Sequence, residues 1–291
     1  MESAVSIRNL SKKYKGFEIK NLNLEIPKGY IIGMIGKNGA GKTTILKSVI
    51  DMVKPDSGEI FVFGKNIRDN GAELRNRIGV VLGSGNYYDN LTLKQNKNIF
   101  ASFYTHWDEQ AFERYCKLFE LSLNKKVEEL STGMRVKFTI ALALSHRAEL
   151  LLMDEPTAGL DPIVRDEMLE MIMEIIQDEQ RSVIFSTHIT SDLDKIADYI
   201  VLINNGKIEL NEPKDDLLER HAVMKGSASE LTKQQRDALI GYTEHDFGFA
   251  GLTAQKELFR TAPFVAEKPT TEDIMIFYTK NARKKGEKAC F

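Results

Sequence analysis

Residues 36–43 read Gly36-Lys37-Asn38-Gly39-Ala40-Gly41-Lys42-Thr43, and this octet decides the fold. It meets G-x-x-x-x-G-K-[ST] at every fixed position. Glycines let the backbone wrap until several N–H groups converge on one point. A helix starting there adds the positive end of its dipole. Lys42 brings a full charge, suited to the β- and γ-phosphates of a nucleoside triphosphate. Thr43 brings a hydroxyl oxygen, suited to the accompanying Mg²⁺, a hard cation that keeps several waters.

Working outward, Tyr30–Ile35 is a short apolar run that reads as a buried central strand, and Thr43–Met52 has helical spacing. Upstream, Val5–Leu10 and Phe17–Ile26 alternate apolar and polar residues as half-buried strands do, with a turn at Pro27-Lys28-Gly29. Downstream come a turn at Pro55–Gly58 and a strand at Glu59–Phe63. From about Leu93 to Glu129 the apolar residues Ile99, Phe103, Trp107, Phe112, Tyr115, Phe119 and Leu123 recur at three and four, predicting a mainly helical insert. A helix at Gly133–His146, a buried strand at Leu150–Met153, a helix at Arg165–Asp178 and a strand at Ser182–Ser186 follow. Asp194–Tyr199 is expected to be helical, Ile200–Ile203 a strand and Asn204–Lys207 a hairpin turn. Strands alternating with helices predict a mostly parallel sheet wrapped by helices. The composition shifts after about Leu218, so residues 1–218 are expected to form the main domain and 219–291 a small α+β appendage ending in a basic tail, Arg283-Lys284-Lys285.

The chain has 291 residues, with 40 Lys+Arg against 42 Asp+Glu, a formal charge of −2. That near-neutrality argues against broad nucleic-acid backbone binding. Apolar residues at 42% and charged residues at 28% describe an ordinary globular protein. Two cysteines cannot build a disulfide framework; Cys116 lies in an apolar pattern and reads as core filler. The longest near-apolar run is Gly29–Gly36, against the roughly 20 residues a membrane helix needs. The N-terminus has no signal-peptide pattern, residue 2 is Glu, and Cys290 is second from the end, so neither crossing nor lipid anchoring of a bilayer is expected.

A second motif follows the strand Leu150–Met153, which runs out into Asp154 and Glu155. Two carboxylates leaving a buried strand are costly unless a cation and hydrogen bonds receive them. Asp154 is placed as a Mg²⁺ residue, and Glu155 as the general base that polarises an attacking water.

Between the insert and that strand lies Leu130-Ser131-Thr132-Gly133-Met134. With GKNGAGKTT, LLLMDEPTAGLDP and STHITSDLD in this order, the chain resembles the ATP-binding cassette family over roughly residues 3–210, and specifically the ATPase subunit of an ABC transporter. The resemblance implies a P-loop NTPase cassette: a mostly parallel sheet, a helical insert at about 93–146, an antiparallel β subdomain and the small C-terminal appendage. It implies a head-to-tail pair of ATPase subunits, identical or not, that sandwiches two ATP molecules. Gly36, Lys37, Asn38, Gly39, Ala40, Gly41, Lys42, Thr43 and Thr44 of one copy would then face Ser131 and Gly133 of the other. Thr43 and Asp154 would hold Mg²⁺, and Lys42, Glu155 and His188 would be the catalytic set, with His188 on the γ-phosphate. Asp161 would link the two sites. Tyr14 matches the aromatic that stacks on adenine, although a surface tyrosine is the alternative.

Two departures stand out. The family's usual glutamine is missing from Ile78-Gly79-Val80-Val81-Leu82-Gly83-Ser84-Gly85, and the signature loses one glycine and its glutamine. Tyr87–Leu93 looks like the loop pressed against a permease, and the tail Lys268–Tyr278 resembles that of bacterial peptide, bacitracin or lantibiotic-type exporters and exporters of amphipathic peptide toxins. The implied partner is a separately encoded membrane permease at the cytoplasmic face of the plasma membrane, with no nucleic acid. The alternatives are a soluble cassette ATPase acting on nucleic acid or the ribosome, and a non-hydrolysing ATP sensor.

Overall fold

The computed structural model describes residues 2–83, 87–177, 181–245, 248–260 and 263–284. Ser84, Gly85, Asp178, Lys285 and Cys290, which figure in the reading above, lie outside them. The chain divides into two compact units, one of Met1–His188 with Lys195–Asn211 and the other of Ile189–Asp194 with Glu212–Phe291.

The first unit holds two sheets. One has the strand order β2-β1-β4-β5, formed by β1 (Ser3–Tyr14), β2 (Phe17–Pro27), β4 (Ser57–Val62) and β5 (Lys65–Asn66), all paired antiparallel. The other has the order β10-β9-β3-β8-β7-β6. Its members are β3 (Ile31–Ile35), β6 (Ile78–Leu82), β7 (Leu150–Asp154), β8 (Ser182–Thr187), β9 (Tyr199–Asn204) and β10 (Lys207–Pro213). The pairs β9–β3, β3–β8, β8–β7 and β7–β6 are parallel. β3 is buried at every position, whereas β2 alternates buried and exposed residues, as the two hydropathy patterns predict. One apolar core joins both sheets to α1 (Lys42–Val49): Ile7, Leu24 and Ile60 pack with Ile45, Leu46, Met34, Leu152 and Ile184.

The insert contains α3 (Leu93–Ala101) and α4 (Glu109–Leu118), after the short α2 (Gly71–Arg75), and leads into α5 (Thr132–Ser145). α4 buries Phe112 and Cys116; burial pushes the Cys116 thiol up to about 12, as a core residue requires. Phe103, expected in the insert's apolar stripe, lies beyond the end of α3 and is exposed. α6 spans Pro162–Ile176; it starts earlier than expected because Asp161 caps it, accepting from the N–H groups of Ile163 and Val164 at 3.1 Å.

The helix expected at Asp194–Tyr199 is corrected: α7 runs Thr190–Ile196, and Tyr199 opens β9. Two hydrogen bonds explain the early stop. Asp198 donates its N–H to the Ile31 carbonyl at 2.9 Å, and its carboxylate accepts from the Ile31 N–H at 2.8 Å. Asp198 is thereby tied to the sheet before a further helical turn can form.

The second unit carries a sheet in the order β12-β13-β11-β14, from β11 (Ala222–Gly226), β12 (Leu239–His245), β13 (Gly248–Thr253) and β14 (Val265–Glu267). Its helices are α8 (Lys214–Arg220), α9 (Lys233–Ala238) and α10 (Thr271–Lys284), the α+β composition expected. Within this unit His221, buried, accepts from the Tyr278 hydroxyl on Nε2 at 2.9 Å while its Nδ1 donates to the Leu217 carbonyl at 2.8 Å. Among the described residues no helix is long and apolar enough to cross a membrane.

A bidentate ion pair fastens the start of β6 to the start of β7. Arg77 donates to the two Glu149 oxygens at 2.5 and 2.8 Å, its guanidinium lies 4.2 Å over the Phe63 ring, and Lys28 stands 3.9 Å away. The Arg77 hydrogen bonds hold the Glu149 carboxyl below its usual 4.5. Glu149 therefore contributes stability above about pH 4.5, lost as pH falls through its lowered folded-state value. Glu149→Gln is expected to cost about 1 kcal/mol at pH 7 and to flatten this part of the acid limb in urea titrations. An unchanged acid limb would contradict this role for the pair.

Candidate functional site

Parallel register brings the site together. Ile35 pairs with Thr187, and Asp154 with Ser186, so β3, β8 and β7 end side by side. The chain leaves these three ends at Gly36, His188 and Glu155. Ligands gather at such carboxyl ends of open α/β sheets.

From β3 the backbone wraps through the octet into α1. Gly36 has no room for a Cβ, which would run into the Ile203 carbonyl oxygen. Gly41, at φ 113°, occupies the N-cap of α1, a conformation that favours glycine. Lys42 is buried to 5% exposure; its Nζ donates to the Gly36 carbonyl at 2.7 Å and lies 3.4 Å from Glu155 Oε1. Its charge is thus held inside the turn by two oxygens. Thr43 donates its hydroxyl to Asp154 Oδ2 at 2.7 Å. Gly41, Lys42 and Thr43, with Lys37, Asn38, Gly39, Ala40, Thr44, Tyr14, Phe17 and Glu155, line a cleft of about 480 Å³.

Glu155 sits at φ 52°, an unusual conformation for a non-glycine residue. Its N–H donates to Ser186, to the carbonyl at 3.1 Å and the hydroxyl at 3.2 Å. The Ser186 hydroxyl in turn donates to Asp154 Oδ1 at 2.5 Å. His188, half exposed, faces Glu155 Oε2 at 2.7 Å through Nδ1. An ionised Glu155 accepts only, so Nδ1 carries the proton of this bond and Nε2 remains to face a ligand.

Lys42, Thr43, Asp154, Glu155 and His188 therefore form one connected set, and Tyr14 stands at the cleft. Ser131 and Gly133 are not among the residues lining it. Ser131 is the N-cap of α5, accepting from the Met134 N–H at 3.3 Å, and Gly133 is packed so closely that a Cβ would meet Val164 Cγ1 at 2.7 Å. The Asp161 carboxylate caps α6. Two contributors were invisible beforehand. Phe17 pairs with Tyr14 across the β1–β2 turn, their rings 6.5 Å apart and 25° from parallel. A second aromatic just past Gly16 was its one available signal. Ser186 joins the site through the β7–β8 register, which no sequence pattern announces.

A metal at this set would meet one hydroxyl and one carboxylate, and among the described residues no group of three His, Cys, Asp or Glu side chains could hold a metal ion alone. That donor set fits a hard cation that arrives on phosphate oxygens and keeps its waters, as Mg²⁺ does.

The ABC transporter family pattern matches residues 19–158. The chain is 34% identical over 224 residues to the bacitracin transport ATP-binding protein BcrA of Bacillus licheniformis, covering 76% of this chain and 73% of the relative. The chain belongs to the ABC transporter ATPase family. A second BcrA, from Enterococcus faecalis, is 31% identical over 258 residues, covering 88% of this chain and 78% of that one. Among solved structures, the dimeric post-hydrolysis state of the ATP-binding cassette MJ0796 bound to ADP and Pi superposes with a TM-score of 0.64 at 25% identity, over 72% of this chain and 98% of that one. This cassette is thus an ATP-hydrolysing subunit of a transporter, related to the bacitracin type.

Ser186 orients both acidic residues through one hydroxyl. Ser186→Ala is expected to lower MgATP turnover about tenfold or more with the circular dichroism spectrum retained, the size typical of lost outer partners. Unchanged turnover would remove Ser186 from the machinery.

Proposed function

We propose that this cassette hydrolyses MgATP to drive export of a peptide or other amphipathic compound through a separately encoded membrane permease, at the cytoplasmic face of the plasma membrane. The reading rests on one observation: Lys42, Thr43, Asp154, Glu155 and His188 leave three adjacent strand ends already linked by hydrogen bonds or close ion contact. The bacitracin-transport relatives point to export. The appendage, residues 219–291 in this reading, is an accessory domain.

The triphosphate lies in the turn at Gly36–Thr44, with Tyr14 and Phe17 against the adenine. Lys42 exchanges the Gly36 carbonyl and Glu155 for β- and γ-phosphate oxygens, a gain because charge-assisted bonds to phosphate are strong. Thr43 and Asp154 would hold Mg²⁺, whose bound charge supplies electrostatic relief to the phosphate oxygens. Glu155, released from Lys42, accepts the proton of a water whose oxygen bonds to the γ-phosphorus. The bond from that phosphorus to the bridging oxygen breaks, and its electron pair leaves with ADP. His188 keeps Glu155 aimed through its Nδ1–H, and with Nε2 also protonated it donates from there to a γ-phosphate oxygen.

A second ATPase subunit completes the site. Ser131 and Gly133 are absent from this chain's own cleft, and Ser131 heads the fourteen-residue α5, whose positive dipole end suits the γ-phosphate of the partner's nucleotide. Towards the permease, Tyr87–Leu93 is a shaped loop. The buried Asn96 accepts from the Tyr88 N–H and donates to the carbonyls of Tyr88, Leu91 and Thr92, leaving the Tyr88 ring exposed.

Purified protein is expected to hydrolyse MgATP, and Glu155→Gln to abolish turnover while accumulating an ATP-dependent dimer in size-exclusion chromatography. Wild-type hydrolysis no faster than that of Glu155→Gln would contradict the enzyme reading. Co-purification with a polytopic membrane subunit tests transport; stable association with ribosomes or DNA instead would overturn it.

A further inference from the structure

The hairpin between β9 and β10 has no part in the chemistry above, yet it meets the phosphate loop at two places. Asn205 and Gly206 have φ of 47° and 74°, the pattern of a tight hairpin turn. The Gly206 N–H donates to the Ala40 carbonyl at 2.9 Å, within the octet. The Ile203 carbonyl fills the space where Gly36 would carry a Cβ. On its other side Gly206 is pressed against β2: a Cβ there would run into the Glu18 carbonyl oxygen. β2 meets the loop too, since a Cβ on Gly41 would stand 3.0 Å from Phe17 Cζ and 3.4 Å from Ile19. The hairpin is thus wedged between the octet and the strand that carries Phe17.

The buried Asn204 Nδ2 has no hydrogen-bond partner, the one such side-chain atom among the described residues. Asn204 lies between the two positions, Ile203 and Gly206, that meet the phosphate loop.

We propose that Asn204–Lys207 is a positioning brace for the phosphate loop, with Gly206 as its key residue. Gly206 is not among the residues that line the cleft. It fixes the carbonyl of Ala40, and with it the direction in which the neighbouring loop N–H groups point at phosphate. Preorganised donors bind better because ordering them costs nothing at the moment of binding. Only glycine fits, since it must hold a positive φ and lie against the Glu18 backbone at once. This inference rests on the phosphate site proposed above.

The test compares MgATP affinity by calorimetry, and thermal midpoint, for wild type and three variants. Gly206→Ala forces the turn off Glu18. Insertion of one glycine after Asn205 moves the Gly206 N–H away without adding a Cβ. Gly58→Ala is a strain control: Gly58 has φ 92°, and a Cβ there would meet the Asn9 carbonyl oxygen at 2.5 Å in the β1–β4 region. The brace predicts Kd for MgATP raised at least about fivefold in the first two variants, the value of one hydrogen bond, with kcat at saturating MgATP changed less. Gly58→Ala keeps the wild-type Kd at a comparable loss of thermal midpoint. If Gly206→Ala does not fold, the insertion variant decides. Wild-type Kd in either folded hairpin variant, or an equal rise in Gly58→Ala, overturns the brace alone. A wild-type chain that binds no MgATP overturns the site reading and the brace with it.

Discussion

A buried ammonium must be met by oxygen, and at Lys42 that requirement organises the site. Its Nζ sits inside the turn that ends β3, facing the Gly36 carbonyl and the Glu155 carboxylate. Isolated burial of such a charge would cost several kcal/mol. The turn exists only because Gly36 can lie against the Ile203 carbonyl and Gly41 can hold φ 113° at the head of α1. Glu155 reaches Lys42 only because its own backbone takes φ 52°, steadied by Ser186. The same conformation brings it to His188. Charge, glycine geometry and strand register are therefore one constraint, and phosphate is the ligand that relieves it.

The groups read as catalytic satisfy one another: Lys42 with Glu155, Glu155 with His188, Thr43 with Asp154. In the proposed function a triphosphate would replace protein oxygens around Lys42 and release the carboxylate that Lys42 engages. Binding and activation of the base would then be the same event. In the proposed function a second copy would enter for a different reason. Ser131 is spent locally as a helix cap and Gly133 lies against Val164, so neither reaches its own cleft.

Much of this was legible in the residues. The octet, its preceding apolar run and the run ending in Asp154-Glu155 each depend on local rules, and β3, β7, β8 and the hairpin at Asn204–Lys207 lie where those rules put them. Local rules failed where a distant partner decides. Periodicity continued a helix to Tyr199, but the Asp198–Ile31 pair ends it sooner. Phe103 keeps the helical spacing of its neighbours yet falls past the end of α3. Ser186 became visible only through the register of β7 with β8. Gly206 acts through backbone contacts with Ala40 and Glu18, which no window of sequence contains.

The most direct measurement is equilibrium binding of MgATP to the wild-type chain and to Lys42→Ala, with folding checked by circular dichroism. The account predicts an intact fold and a Kd raised about tenfold to hundredfold, the value of charge-assisted bonds to phosphate. Equal affinity in the two proteins would mean that the triphosphate is held elsewhere, and would contradict it.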